Sequence, residues 1–263
     1  MPIVTEHPHG SPCWFELGTT DQDAAKQFYS QMFGWSIHDN PMGPAEVYTI
    51  FRLNGHDAGS AYTLPARLTE QGVAPHWGIY FAAPNVDEDA AKVPELGGSL
   101  VQKPFDVMEN GRMAICQDPG GATFSLWQAQ THIGVGVFGD PNSVCWAELA
   151  TWDTSKARDF YTGLFGWKTK GAANMATYVE YTVDGNAWPS GGLLPMNEQW
   201  GSMPSHWAIY FLVEDCDAAA ARVNELGGAA RMGPFDAPGV GRIAAMADPQ
   251  GAAFYLITLK QAA

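Results

Sequence analysis

PCWFELGTTDQDAAKQFYSQMFGWSIHDN, residues 12–40, returns as VCWAELATWDTSKARDFYTGLFGWKTKGA, residues 144–172, with twelve of the 29 positions identical. Residues 76–128 return in the same order at 206–258, where 25 of 53 positions agree, and each of these copies opens on His-Trp (His76-Trp77, His206-Trp207). The first block is offset by 132 residues and the second by 130, so only two residues were lost between them. A repeat on this scale decides the architecture before any single element is read. It also predicts two equivalent binding cavities, in which differences between the copies become informative.

Within the quoted stretch the apolar period changes. Trp14, Glu16 and Gly18 alternate with Phe15 and Leu17, the pattern of a half-buried strand. Ala25, Phe28, Tyr29, Met32 and Phe33 then fall on one stripe of an amphipathic helix, with Thr20 and Asp23 suggesting a capping box and Gly34 a left-handed stop. The second copy keeps the stripe as Ala157, Phe160, Tyr161, Leu164 and Phe165, closed by Gly166. Asn54-Gly55 and Asp184-Gly185, flanked by YTIFRL and YVEYTV, predict hairpins. A strand from His76, a helix over about 87–96 that Pro94 is expected to kink or fray, and strands around Asp118-Pro119-Gly120-Gly121 complete the half. The chain thus reads as four βαβββ modules, about 12–64, 76–128, 144–196 and 206–258, of an α+β fold. They form two domains, 1–130 and 140–263, with linkers near 65–75, 129–143 and 195–205.

The chain has 263 residues, 46% of them hydrophobic, which suffices for two cores. A formal net charge of −14 with only fourteen Lys and Arg excludes the basic stripe that nucleic acid or an anionic membrane would require. Cys13, Cys116, Cys145 and Cys216 lack CxxC spacing, the pattern of reduced thiols in a cytoplasmic protein. No basic, then apolar, leader opens the chain and no run of eighteen apolar residues occurs, so neither a cleaved signal nor a membrane span is expected. A monomer or homodimer with a small-molecule ligand is the expected state.

The stretch from Asp21 to Trp35 (D-x6-FY-x3-FGW) and its copy from Asp153 to Trp167 carry a resemblance, together with the His-Trp strands, the ELGG helix ends and the DP-x-GA-x-F turns at Asp118 and Asp248. These motifs, in this order over nearly the whole chain, resemble the vicinal oxygen chelate superfamily of glyoxalase I, bleomycin-resistance proteins and extradiol dioxygenases. The resemblance implies two domains, each a curved mixed-sheet cup with helices outside. It also implies a divalent metal in each cup, held from the first, fourth, fifth and eighth strands. Here the first-strand ligand position falls on Trp14 and Trp146, the fifth on His76 and His206, and the eighth on Ser125 and Tyr255; no acid stands near 59–61 or 191–192. One imidazole per cup is too few donors, so no metal and no other cofactor is expected.

Strand alternation puts Glu16 beside Trp14, Glu148 beside Trp146, Tyr80 beside His76 and Tyr210 beside His206, with Trp127 sharing the Ser125 face. An aromatic lining with one carboxylate and one imidazole suits a flat aromatic or heterocyclic ligand. Glu16 with His76, and Glu148 with His206, are the candidate acid-base pairs; Trp14, Tyr80, Ser125, Trp127, Trp146, Tyr210 and Tyr255 are the candidate ligand contacts. A competing reading has Glu16 and His76 merely satisfying each other while Trp14 fills space. The class alternatives are a lyase, isomerase or dioxygenase using Glu and His as acid-base groups or as an unusual metal site, and a scaffold whose cups are filled by their own side chains. His7 and His9 read as a flexible terminus, Arg112 and Arg242 as hairpin or salt-bridge cations, Phe105 and Phe235 as core anchors, and the turn aspartates as backbone formers.

Overall fold

Asp21, the last residue before the helix with extended backbone (φ −142°), accepts a hydrogen bond from the Ala24 N–H at 3.0 Å and starts α1 (Gln22–Phe33). Asp153 starts α4 (Thr154–Phe165) through Lys156 N–H at 2.9 Å. The caps are these aspartates rather than Thr20 with Asp23, because their carboxylates already reach the free N–H groups of the first turn. Gly34 and Gly166 close both helices in the left-handed region, at φ 71° and 70°.

The computed structural model describes residues 3–44, 46–172, 175–185 and 190–260. In the first half β1 (Pro12–Thr19), α1, β2 (Ser36–Pro41), β3 (Val47–Leu53) and β4 (His56–Thr63) form one βαβββ module. A short helix α2 (Ala66–Glu70) leads to the next: β5 (His76–Ala82), α3 (Val86–Glu95), β6 (Ser99–Val107), β7 (Gly111–Gln117) and β8 (Thr123–Ala129). The second half repeats this with β9 (Val144–Thr151), α4, β10 (Lys168–Ala172), β11 (Met175–Thr182) and β12 (Gly191–Pro195), then β13 (His206–Leu212), α5 (Cys216–Glu225), β14 (Ala229–Ala237), β15 (Gly241–Ala247) and β16 (Ala253–Leu259). Asn54 (φ 52°) and Gly55 (φ 84°) make the first hairpin turn. Asp184-Gly185 leads into 186–189, outside the described residues.

Each half is one mixed eight-stranded sheet, ordered β2-β3-β4-β1-β5-β8-β7-β6 and β10-β11-β12-β9-β13-β16-β15-β14. The two modules of a half meet where β1 runs antiparallel to β5, and β9 to β13. The sheet faces turned away from the cups pack against each other with α1 and α4 between them, burying ring contacts such as Phe33–Phe211 (centroids 4.6 Å apart) and Phe81–Trp207 (5.0 Å). Polar groups lock this interface reciprocally. Tyr29 of α1 accepts from Trp77 Nε1 (2.9 Å) and donates to Asp248 (3.1 Å) in the other half, while Tyr161 of α4 accepts from Trp207 (2.9 Å) and donates to Asp118 (3.2 Å). Asp118 and Asp248 also accept two backbone N–H groups each within their turns. The turn aspartates therefore join the halves as well as shaping backbone.

Other expectations need correction. Pro94 shortens nothing: α3 and α5 are both ten residues long, so α3 tolerates in its last turn the one hydrogen bond that the proline nitrogen cannot donate. Phe105 and Phe235 lie half exposed on the outer strands β6 and β14 rather than in the core. The N-terminal arm is tied down, with His7 Nε2 donating to the Val135 carbonyl (3.0 Å) and His9 Nε2 lying 2.7 Å from Asp89. Arg112 and Arg242 are salt-bridge cations as expected, Arg112 to Asp87 and Asp106 and Arg242 to the matching Asp217 and Asp236. Among the described residues no helix is long and apolar enough to cross a membrane.

Candidate functional site

The floor of the first cup is set by register. Across the sheet Trp14 faces Tyr80, and Glu16 stands between Ser60 of β4 and Gly78 of β5, a gap that leaves its carboxylate open to side chains from neighbouring strands. Tyr48, from β3, donates to Glu16 Oε1 at 2.7 Å, and Tyr80 donates to Oε2 at 2.7 Å. The Tyr48 oxygen in turn accepts from Trp14 Nε1 at 2.9 Å and has the Ser60 hydroxyl at 2.9 Å. Burial pushes Glu16 above the ordinary carboxylate range, and the two phenols oppose that shift. Burial beside the Glu16 charge holds Tyr48 and Tyr80 well above the usual phenol value, so they remain donors.

The second cup repeats the construction. Tyr178 and Tyr210 donate to the two oxygens of Glu148 (2.7 and 2.6 Å), and Trp146 Nε1 donates to Tyr178 at 3.1 Å. Glu148 is likewise raised by burial against its two tyrosines. Tyr48 and Tyr178 escaped the sequence reading although they align under the 130-residue offset and begin the quoted YTIFRL and YVEYTV strands; counting the inward alternation of β3 and β11 finds them.

Among the described residues no hydrogen bond joins the proposed carboxylates and imidazoles, and in the first cup His76 acts on Glu16 only through its charge. His76 sits at the exposed start of β5, opposite Gly18, with Nδ1 2.9 Å from the Ala74 carbonyl oxygen. His206 repeats this with Pro204 at 2.9 Å. The glutamates are satisfied by tyrosines instead. Ser125 is buried on β8 opposite Tyr80, whereas Tyr255 stacks on Tyr210 with centroids 4.5 Å apart.

Above Glu16 the first cup opens into a cavity of about 350 Å³. Trp14, Tyr48, Tyr80 and Trp127 supply aromatic walls, and Met42, Met108 and Met113 add flexible thioethers. His132, from the segment between the halves, also lines it, its ring edge-on to Trp14 at 4.5 Å. No sequence signal marked His132, because it lies outside both repeated blocks.

The inward donors do not fit a divalent-metal cage. The positions on β1, β4, β5 and β8 are Trp14 with Glu16, Ser60, Gly78 with Tyr80, and Ser125 with Trp127; the one carboxylate is already shared by two phenols. Among the described residues no group of three or more His, Cys, Asp or Glu could hold a metal ion.

Two paired modules per sheet and a cup at the centre of each are the architecture of one family, and the sequence comparison agrees. The profile of the Glyoxalase/Bleomycin resistance protein/Dioxygenase superfamily matches residues 13–126 and 143–256, and the chain belongs to that superfamily. It is 38% identical over 260 residues to the Mycobacterium tuberculosis protein named "Putative glyoxylase CFP32", covering 98% of each chain. It is 35% identical over 272 residues to the "Anthracycline biosynthesis protein DnrV" of Streptomyces peucetius, covering 98% of this chain and 96% of the relative. A Mn(II)-bound glyoxalase from Novosphingobium aromaticivorans shares the fold at a TM-score of 0.67 and 16% identity, over 96% of this chain and 83% of that one.

Proposed function

We propose that the first cup binds a flat aromatic or heterocyclic small molecule without a resident metal, using Glu16 as its polar anchor. The observation that carries this reading is the cavity itself: about 350 Å³, walled by Trp14, Tyr48, Tyr80 and Trp127, with a carboxylate at its floor. That volume lies in the range of small-molecule sites, and indole and phenol faces favour planar rings over flexible chains. The similarity to a protein named for anthracycline biosynthesis supports an aromatic ligand. Glu148 with Trp146, Tyr178 and Tyr210 offers the second cup the same anchor. Four free cysteines suit a reducing, cytoplasmic setting. Thermal unfolding against a panel of polycyclic aromatics tests the reading, since a ligand at 100 times its Kd adds about 2.7 kcal/mol. Near-stoichiometric metal in protein purified without a His tag, lost in Glu16→Ala, would overturn it.

A second reading makes the cup a lyase or isomerase working by acid-base chemistry. It is favoured by the raised Glu16 carboxyl, which brings proton exchange closer to neutrality. Turnover that is lost in Glu16→Gln while affinity is kept would establish it.

A further inference from the structure

Residues 132–136 are stitched over the first cup. The β-bulge at Cys13 in β1 frees its carbonyl, which accepts from Val135 N–H at 2.8 Å. Gly134 (φ 111°) allows that approach, because a Cβ there would lie 2.1 Å from the Cys13 oxygen. Trp127 Nε1 donates to the His132 carbonyl (2.9 Å), Gly136 N–H donates to the Asp57 carbonyl (2.8 Å), and the N-terminal arm adds Val4 N–H to Gly136 (3.0 Å) and His7 Nε2 to Val135 (3.0 Å). The segment between the halves thus holds one imidazole in a fixed place on the cavity wall.

That imidazole has a carboxylate behind it. His132 Nε2 lies 3.4 Å from Asp57 Oδ2, and Arg52 Nε donates to the other Asp57 oxygen at 2.7 Å. Burial works to raise the Asp57 carboxyl, and the facing His132 imidazole together with the Arg52 hydrogen bond outweighs this and keeps it below the usual range; at 3.4 Å the buried His132 Nε2 makes an ion-pair contact and no hydrogen bond. An ionised aspartate facing Nε2 favours the tautomer with its proton on Nε2. The basic nitrogen is then Nδ1, which has no hydrogen-bond partner among the described residues. The other titratable groups around the ring are His7 on the arm side and Glu16 and Glu109 on the cavity side.

We propose that His132 is the proton acceptor of the first cup for a planar aromatic ligand bearing an ionisable hydroxyl, with Asp57 as its positioning residue. This rests on the binding reading above and adds the ligand's acid-base state. The ligand O–H bond breaks, its proton passes to Nδ1, and the bound pair is an aryl oxide beside an imidazolium that Asp57 stabilises. Nothing is oxidised or reduced.

The probe is 4-nitrophenol, whose neutral and ionised forms absorb at different wavelengths, titrated into wild type, His132→Gln and Asp57→Asn. Quenching of tryptophan emission reports occupancy beside Trp14 and Trp127, and the ionised band reports proton transfer. In wild type the bound probe should ionise about one pH unit below its value in water, a tenfold shift. His132→Gln should lose the shift at probe concentrations where quenching still reports an occupied cavity, and Asp57→Asn should reduce it. A bound probe with the same ionisation midpoint in wild type and His132→Gln would remove the proton-acceptor role and leave binding intact. Wild type that leaves the probe free and its tryptophans unquenched would remove the binding reading and this proposal together. His132→Asn serves if the glutamine variant does not fold.

Discussion

The two cups share an anchor and differ in their walls. In both, a tryptophan, two tyrosines and a glutamate from four equivalent positions are bonded in the same order: Trp14, Tyr48, Glu16 and Tyr80 against Trp146, Tyr178, Glu148 and Tyr210. Around that anchor Ser60 becomes Gly192, Met113 becomes Ile243, Ser125 becomes Tyr255 and Trp127 becomes Ile257. The bulk of the wall has moved from β8's last inward position to the one before it. Under the binding proposal, a shared polar floor beneath walls of different shape predicts the same functional group on differently shaped ligands.

The largest effects belong to the symmetric part and test whether the halves are equivalent at all. Asp118→Ala and Asp248→Ala each strip one buried N–H, one partly buried N–H and a buried phenol of their acceptor, and each should cost about 3 kcal/mol or more. Chemical denaturation should give equal losses and a single transition, because each aspartate ties its own half to the other. Unequal losses, or two transitions, would break the reciprocity on which the comparison of cups relies.

Exchanging wall residues comes next. Ser125→Tyr places in the first cup the ring that the second cup already stacks on Tyr210. It should lower the first cup's affinity for a bound aromatic about tenfold or more, equivalent to 1.4 kcal/mol or more. Calorimetric titration reads this directly, and unchanged affinity would show that the ring at this position does not shape the cavity. Tyr255→Ser makes the reverse exchange and should weaken only ligands bound in the second cup that stack on that ring.

The floor gives a pH signature. Burial raises Glu16 and Glu148 in the folded protein above their ordinary, unfolded value, so the folded state holds these protons more tightly. Their contribution to stability is complete below the unfolded carboxylate range and declines as pH rises through the raised values. Glu16→Gln and Glu148→Gln should each remove one step of that decline in a series of unfolding curves. The step removed by Glu148→Gln should be the larger, because Glu148 is buried whereas Glu16 is partly exposed and has the His76 charge opposing its shift. Stability that rises with pH over this interval in wild type, and not in the variants, would reverse the sign.

These differences also explain what the sequence made legible. The repeat fixed the strands, and alternation placed Trp14, Glu16, Tyr80 and Trp127 on one face because a strand's period is local. The partner of Glu16 was not local. His76 shares the inward face of β5 but stands at the strand's exposed start, beside Gly18, so the matching period misled where distance along the strand decided. Tyr48 reaches Glu16 only because β3 lies two strands from β1, which is a matter of sheet order. The bonds from Tyr29 to Asp248 and from Tyr161 to Asp118 depend on how two sheets dock, and nothing in either motif by itself encodes that pairing.

The most local difference separates the two anchors at a single atom. Ser60 Oγ lies 2.9 Å from the Tyr48 oxygen, which already donates its proton to Glu16; the serine hydroxyl is therefore the donor to Tyr48. Gly192 holds the equivalent place opposite Glu148, and a Cβ there would fall 1.8 Å from the Tyr178 oxygen. Tyr178 thus occupies the space that a serine side chain fills in the first cup, and the substitutions are not mirror images. Ser60→Gly should cost about 1 kcal/mol for a lost hydrogen bond, together with a similar amount for the freedom glycine gains in the unfolded chain. Gly192→Ser should cost more, since the Tyr178 ring must move and loosen its bond to Glu148. Equal costs, measured by denaturant midpoint at constant slope, would mean that the two tyrosines sit alike over their glutamates.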